Sequence, residues 1–415
     1  MVLFLNIKNP AYYNIYTALT WFWRHIGITT KGLCWLFLWQ QSAQAAVQNI
    51  NILYVQQRQD VSAEPLLLKQ AASNKTLAGA TLAIDDSNTT GRFLKQHYQL
   101  TVVEGSNTGE LISQLNALFA AQDAPVAVLV DVPESEFSAI SNAVLSHGAL
   151  VMNVSNRDDA LRQSQCRARL LHTVPSRAML ADAMTQYLMS RRWREWFVVA
   201  GNTKDDQAYL SALQRAAKRF GAKIVEQKNW SFDTDLRRVA QQEIPLFTQH
   251  DDYDVVVVAD EQHAFDKYFP GNTWLPRPVV GTEGLVPTGW HWTLEQWGAT
   301  QLQNRFYSQF AREMTESDYA AWLAVRAISE AVTRTKSVAP GALYDYLISD
   351  GFELAAFKGR KLSFRAWSGQ LRQPIPLVHP NGLTALLPLD GYMHPVTDLD
   401  TLGFDKPEVR CNMAK

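Results

Sequence analysis

The stretch Phe197-Val198-Val199-Ala200-Gly201-Asn202-Thr203-Lys204-Asp205-Asp206 sets a short apolar run against a tight loop carrying an amide, a hydroxyl, an ammonium and two carboxylates. Side chains of this kind do acid–base chemistry, hold a small polar ligand, or cap the helix that follows. They do not cradle a nucleotide. A dinucleotide loop needs G-x-G-x-x-G so that backbone approaches the pyrophosphate, and here one glycine is followed by two aspartates that repel phosphate. No Walker loop, nucleophile elbow, H-E-x-x-H or paired C-x-x-C occurs in the chain. Asp398-Leu399-Asp400 matches only the opening of a calcium loop and lacks its terminal glutamate. The chain therefore reads as a binding protein without cofactor or metal rather than an enzyme. An enzyme using Asp205 and Glu283 as acid and base is the weaker alternative, because no base and orienting partner can be paired from sequence.

The elements that must position this loop are a strand before it and a helix after it. From Gln207 the apolar positions Tyr209, Leu213, Ala216 and Phe220 recur on one helical face. Gly221 stands where that helix ends, and Lys223-Ile224-Val225 resumes extended structure. A strand-helix-strand unit predicts a parallel sheet, whose ligands lie beyond the carboxyl ends of the strands. Further strands are predicted at Asn51–Val55, Ala80–Ile84, Val126–Val130, Ala149–Asn153, Asp254–Ala259 and Pro278–Gly281, with helices over Gly109–Ala121 and Ser135–Ser146 between them. Leu170–Pro175 is extended and ends in a helix opener at Ser176. Beyond Gly281 come turn formers and aromatics, Pro287 to Trp292. A helix opened by Ser317 or Asp318 follows, with Trp322, Val325, Ile328 and Val332 on its apolar face. Short strands begin near Leu362.

Residues 1–45 carry Lys8, Arg24 and Lys31 with no acid, then the apolar run Gly32–Trp39 and Ser42-Ala43-Gln44-Ala45. This pattern predicts an export signal cleaved after Ala45, or an uncleaved anchor. The run is short for a bilayer span. The whole chain has 415 residues, with 39 basic and 40 acidic side chains. That balance gives no reason to expect a nucleic-acid partner. Cys34 falls in the signal, so Cys166 and Cys411 are left either to bridge in an oxidising compartment or to remain two separate thiols.

Four stretches carry a resemblance to a known family: Ala149–Ser155 followed by Leu170–Pro175; the loop described first; Asp254–Ala259; and Val279–Gly284. Together they resemble the type I periplasmic binding proteins, the leucine/isoleucine/valine-binding class that serves ABC importers. More narrowly, Gly298–Val332, with Asp318-Tyr319-Ala320-Ala321-Trp322 inside it, resembles the binding proteins found beside pyrroloquinoline-quinone (PQQ) dependent alcohol dehydrogenase systems. The resemblance implies an α/β fold of two doubly wound parallel-sheet lobes joined by a three-crossing hinge. The lobes would be 46–174 plus 288–350 and 175–287 plus 351–400, with 401–415 as a tail. It implies a monomeric periplasmic protein that closes on a small solute and delivers it to the membrane subunits of an ABC importer. A ligand-sensing receptor domain of the same fold is the alternative.

By the same resemblance, the first lobe holds a solute with the loops Asp131–Ser135 and Asn153–Arg157. Ser135, Ser155 and Asn156 can donate there and Arg157 can pair with a carboxylate, while Asp131 and Glu134 oppose one. The family's ligand tyrosine is absent from the second lobe's loop, where Asp205-Asp206 stand instead, although Glu283 matches the acid that meets an amino group. Asn202, Lys204, Asp205, Asp260 and Glu283 are thus expected to face the cleft from the second lobe. Trp290 is expected as an aromatic wall or as packing. Because half of the amino-acid signature is missing, an α-amino acid is not the default solute.

Overall fold

The computed structural model describes residues 47–58, 76–121, 124–230, 236–411 and 413; the expected export signal at 1–45 lies outside them. The first lobe is built from β1 (Gln48–Gln57), α1 (Leu77–Leu94), β2 (Gln96–Gly105), α2 (Thr108–Phe119), β3 (Ala127–Asp131), α3 (Glu134–Ser146), β4 (Leu150–Asn153), α4 (Ala160–Gln163) and β5 (Leu170–His172). Its five strands form one parallel sheet in the order β2-β1-β3-β4-β5. Helices cover both faces, so alternate residues of β1 enter two different cores: Ile50, Ile52 and Tyr54 one, Leu53 and Val55 the other. Burial on both sides is what makes such strands read as nearly continuous apolar runs.

One predicted strand is a helix. Ala80–Ile84 lies inside α1, where Ala80, Ala83, Ile84, Ser87 and Gly91 are buried at helical spacing. A short apolar run does not distinguish the two periods by itself. The strand of this region is β2 instead. It is the edge of the sheet and buries only Tyr98, Val103 and Gly105 fully, so its composition is too polar to stand out.

The second lobe comprises α5 (Arg177–Ser190), β6 (Glu195–Ala200), α6 (Lys204–Phe220), β7 (Lys223–Asn229), α7 (Leu236–Phe247), β8 (Val255–Ala259) and β9 (Val279–Gly281), with a parallel sheet in the order β7-β6-β8-β9. Ser176 caps α5 by accepting from Met179 N. Thr203 and Asp206 form a reciprocal capping box on α6, and Gly221 ends that helix at φ 80°, a left-handed conformation natural to glycine.

The rest of the chain is shared between the lobes: β10 (Val286–Pro287), α8 (Ala299–Phe310), α9 (Glu316–Thr335), α10 (Pro340–Leu347), β11 (Leu354–Ala355), β12 (Lys361–Phe364), β13 (Leu371–Arg372), β14 (Ile375–His379) and β15 (Gly382–Leu387). Helix α9 opens at Thr315, earlier than expected, because Thr315 and Asp318 make a second capping box; the predicted apolar face is buried. Phe352, Leu354, Leu362, Phe364 and Leu371 pack into the first lobe's core. Ile375, Leu377, Leu387 and Leu402 pack into the second. The connections between lobes run side by side. Gln373 Nε2 donates to Thr173 O at 2.8 Å, Gln370 Nε2 to Val174 O at 3.1 Å, and Thr288 N to Pro376 O at 2.9 Å. Cys166 and Cys411 are joined in a disulfide, with Cα atoms 5.5 Å apart.

Candidate functional site

The carboxyl ends of β3 and β4 in one lobe, and of β6, β8 and β9 in the other, carry the loops expected to hold a ligand. What meets there is an ion cluster centred on Arg177, the first residue of α5. Its NH1 lies 2.7 Å from Glu134 Oε1 of the first lobe. Within the second lobe its Nε and NH2 donate to Glu261 at 3.0 and 2.7 Å, and NH2 lies 3.5 Å from Asp205 Oδ1. The Arg177 side chain is only 3% exposed. Burial works against its charge, but the hydrogen bonds and charge of Glu261 and the charge of Glu134 prevail and hold its proton more firmly than in an ordinary arginine. Burial raises the Glu134 carboxyl, an effect Arg177 partly offsets. One guanidinium thus faces three carboxylates, with Glu134 and Glu261 mostly shielded from water and Asp205 at the exposed rim.

A second pair lies beside the first. Arg157 NH2 donates to Glu316 Oε2 at 2.9 Å, and Thr288 Oγ1 donates to the same oxygen at 2.8 Å. The charge of Glu316 raises the Arg157 guanidinium. Glu316 Oε1 is buried and has no hydrogen-bond partner among the described residues. Gly289 approaches closely here: a Cβ on it would stand 2.9 Å from Glu316 Cγ and 3.1 Å from Pro175 Cγ, so a larger residue would push the Glu316 side chain aside. Tyr209 is buried, and its hydroxyl is raised by burial first and by the charge of Glu261 next. Arg177 N also donates to Arg157 O at 3.2 Å, so the backbones carrying the two arginines are directly joined.

Deeper in the first lobe, Tyr54 Oη donates to Asp131 Oδ2 at 2.5 Å. Burial raises both groups. Ser155 Oγ is buried without a hydrogen-bond partner of normal geometry among the described residues, although it lies near enough to Asp131 to favour that carboxylate's charge.

The expected site residues separate into two groups. Glu134, Asp205 and Arg157 belong to the ion clusters, with Ser155 and Asp131 behind them. Others serve the backbone. Asn156 Oδ1 accepts from Asp158 N at 2.8 Å, closing a turn. Asp260 Oδ2 accepts from Phe265 N and Asp266 N at 2.6 and 2.9 Å, which leaves that oxygen committed to its own loop. Asn202 Nδ2 donates to Trp230 O, and Glu283 Oε1 accepts from Gly284 N at 3.0 Å while the residue stays partly exposed. Lys204 is exposed at the start of α6 and Ser135 is exposed in the first turn of α3. Trp290 is 1% exposed and stacks on Tyr319 with centroids 4.2 Å apart in the first lobe's core, so it packs rather than walls an open cleft. Capping of α6 falls to Thr203 and Asp206, not to Asn202 or Asp205. Among the described residues no group of three or more His, Cys, Asp and Glu side chains is arranged to hold a metal ion.

Arg177, Glu316, Tyr54 and Tyr209 were not expected in the site; Glu261, which like Asp260 follows β8 and reads in sequence as either a ligand contact or a helix N-terminal charge, joins the Arg177 cluster. Arg177 did leave a signal. A cation directly after a helix N-cap opposes the helix dipole, and it is tolerated here because acidic side chains surround it.

Comparison with known proteins bears on the fold. Residues 69–243 match the model of the periplasmic binding protein family. A branched-chain amino acid ABC transporter periplasmic ligand-binding protein from Burkholderia xenovorans is 17% identical with a TM-score of 0.71, covering 88% of this chain and all of its own. An ABC transporter substrate-binding protein from Desulfitobacterium hafniense, solved in complex with Leu, is 13% identical with a TM-score of 0.64, covering 82% of this chain and all of its own. A solute-binding protein of an ABC transporter from R. palustris, solved with benzoate, is 12% identical with a TM-score of 0.60, covering 82% of this chain and 98% of its own. No curated protein sequence matches the chain. The fold is that of the type I periplasmic binding proteins.

Proposed function

We propose that this protein is the periplasmic solute-binding component of an ABC importer, that residues 1–45 direct its export, and that the Arg177 cluster marks the place where the lobes close on a solute. The observation that carries the reading is the 2.7 Å approach of Glu134 to Arg177, made between the carboxyl ends of two parallel sheets. In this reading the three crossings lie at Thr173–Pro175, Thr288–Gly289 and Gln373–Pro374, and motion about them opens the cleft. Glu134, Ser155 and Arg157 reach a solute from one lobe; Lys204, Asp205, Glu261 and Glu283 reach it from the other. The membrane subunits of the importer are the partner.

The likeness of Gly298–Val332 to binding proteins of PQQ-dependent alcohol oxidation supports a solute drawn from that chemistry. An alcohol, an aldehyde or the derived acid fits a site that has lost half of the amino-acid signature. Binding of Leu and of benzoate by the two structural relatives puts amino acids and aromatic acids on the same panel. The test is a thermal-shift screen of residues 46–415 against amino acids, short and aromatic alcohols, and their aldehydes and acids. A ligand bound only by the folded state raises the midpoint with the logarithm of its excess over Kd. A shift that is lost in Glu134→Ala and Arg157→Ala supports the reading. No shift with any compound favours a sensor or partner-binding role.

A further inference from the structure

We infer that the Cys166–Cys411 disulfide is a strap between the two lobes, a fourth covalent link that limits how far the cleft opens and that reduction removes. The inference rests on the closure reading above and goes beyond it in assigning the C-terminal tail a role.

The tail is fixed to the second lobe first. Gly403 N donates to Asp182 Oδ2 at 2.8 Å, and Gly403 O accepts from Arg215 NH2 and Arg219 NH1 at 3.0 and 2.9 Å. Asp182 is fully buried in α5, and Leu402 lies in the second lobe's core. The Arg215 guanidinium covers the Phe404 ring at 4.3 Å and lies 3.1 Å from Glu408 Oε2. The chain then leaves that lobe. Arg410 N donates to Gln163 O at 2.8 Å, and Cys411 bonds Cys166, just past α4, whose Leu161 belongs to a first-lobe core.

Reach decides the consequence. Three residues lead from Glu408 to Cys411, and even fully extended they span no more than about 11 Å. A motion that carries α5 and α6 farther from α4 than this span allows must therefore break the Glu408–Arg215 pair and then draw on the slack back to the buried Gly403 anchor. The strap sets a limit on opening that the crossings alone do not. Both cysteines are partly exposed, so a dithiol can reach them. It would supply two electrons and two protons, leaving Cys166 and Cys411 as thiols and itself as a cyclic disulfide.

The test is the radius of gyration of the unliganded protein, residues 46–415, by solution scattering, oxidised and after dithiothreitol, for wild type, Glu134→Ala and Glu134→Ala/Cys411→Ser. Near-UV circular dichroism confirms that each form stays folded. Glu134→Ala removes the ionic closure contact and leaves the strap. The expected result is a larger expansion of Glu134→Ala when reduced than when oxidised, with Glu134→Ala/Cys411→Ser expanded in both conditions. Equal expansion of Glu134→Ala in both redox states overturns the strap while leaving lobe motion standing, as does a lower melting temperature on reduction with no change in size. No expansion of any form overturns the strap and the hinge reading together.

Discussion

Glu134 of α3 and Arg177 of α5 stand 2.7 Å apart, each at the first turn of a helix that follows a strand or crossing of a different lobe. Arg177 answers three carboxylates, so its loss leaves the mostly shielded Glu134 and Glu261 uncompensated, while the more exposed Asp205 is still solvated. Arg177→Met is expected to cost on the order of 3 kcal/mol, as for other broken buried pairs. Adding Glu261→Gln should recover part of that loss, giving a coupling well above the noise of a double-mutant cycle. Urea denaturation of the four proteins checks it, and strictly additive losses would show that the pair is not coupled.

The lobes were largely legible in the sequence, because β3, β4, β6 and β8 are buried on both faces and read as unbroken apolar runs. The edge strand β2 was not, since an edge needs few apolar residues. The site was legible only in outline. Strand-end loops pointed to Glu134, Ser155, Arg157 and Asp205, but Arg177 follows a crossing rather than a strand of its own lobe. Glu316 belongs to α9, more than a hundred residues from Arg157 in sequence, and nothing local pairs them. Asp205 and Asp206 are adjacent and chemically identical. Only the helical geometry decides that the second closes the capping box while the first turns toward Arg177.

That division predicts different outcomes for neighbouring aspartates. Asp206→Ala removes the acceptor for Thr203 N and for Glu261 N, so it should lower apo stability by about 1–2 kcal/mol, the range for a lost cap. Asp205→Ala and Lys204→Ala should leave the apo melting midpoint unchanged and weaken the binding of whatever solute the screen identifies. Equal loss of apo stability with unaltered affinity for Asp205→Ala would assign the whole loop to helix capping.

The Tyr54–Asp131 contact is buried within one lobe, so its loss should register as stability and not as lobe motion. Tyr54→Phe leaves Asp131 Oδ2 without that donor while keeping the ring's packing, at an expected cost of about 1–3 kcal/mol. The radius of gyration should not change. A variant as stable as wild type in urea would show that the Asp131 carboxyl finds another donor.

Lys358 offers a pH-dependent reading of the crossings. Its Nζ donates to Gln373 Oε1 at 2.6 Å and to Pro374 O at 3.1 Å, and it lies 4.7 Å from the centre of the Tyr319 ring. Burial pulls the ammonium down to about 7, against the opposing pull of Glu316. Unfolded, the same group titrates near 10.4. The folded-state value is the lower one, so between these two limits the unfolded chain binds the extra proton. The contribution to stability is complete above the unfolded value and is lost as pH falls toward 7. Stability should therefore rise between pH 7 and 10 with a slope from this group approaching 1.4 kcal/mol per unit. In Lys358→Met that component disappears, leaving a constant offset for the two lost hydrogen bonds. Urea midpoints of both proteins at pH 7, 8 and 9 give the comparison. Parallel profiles would mean that Lys358 stays charged among Gln373, Pro374 and Tyr319 throughout, and that the ring and carbonyls compensate its burial in full.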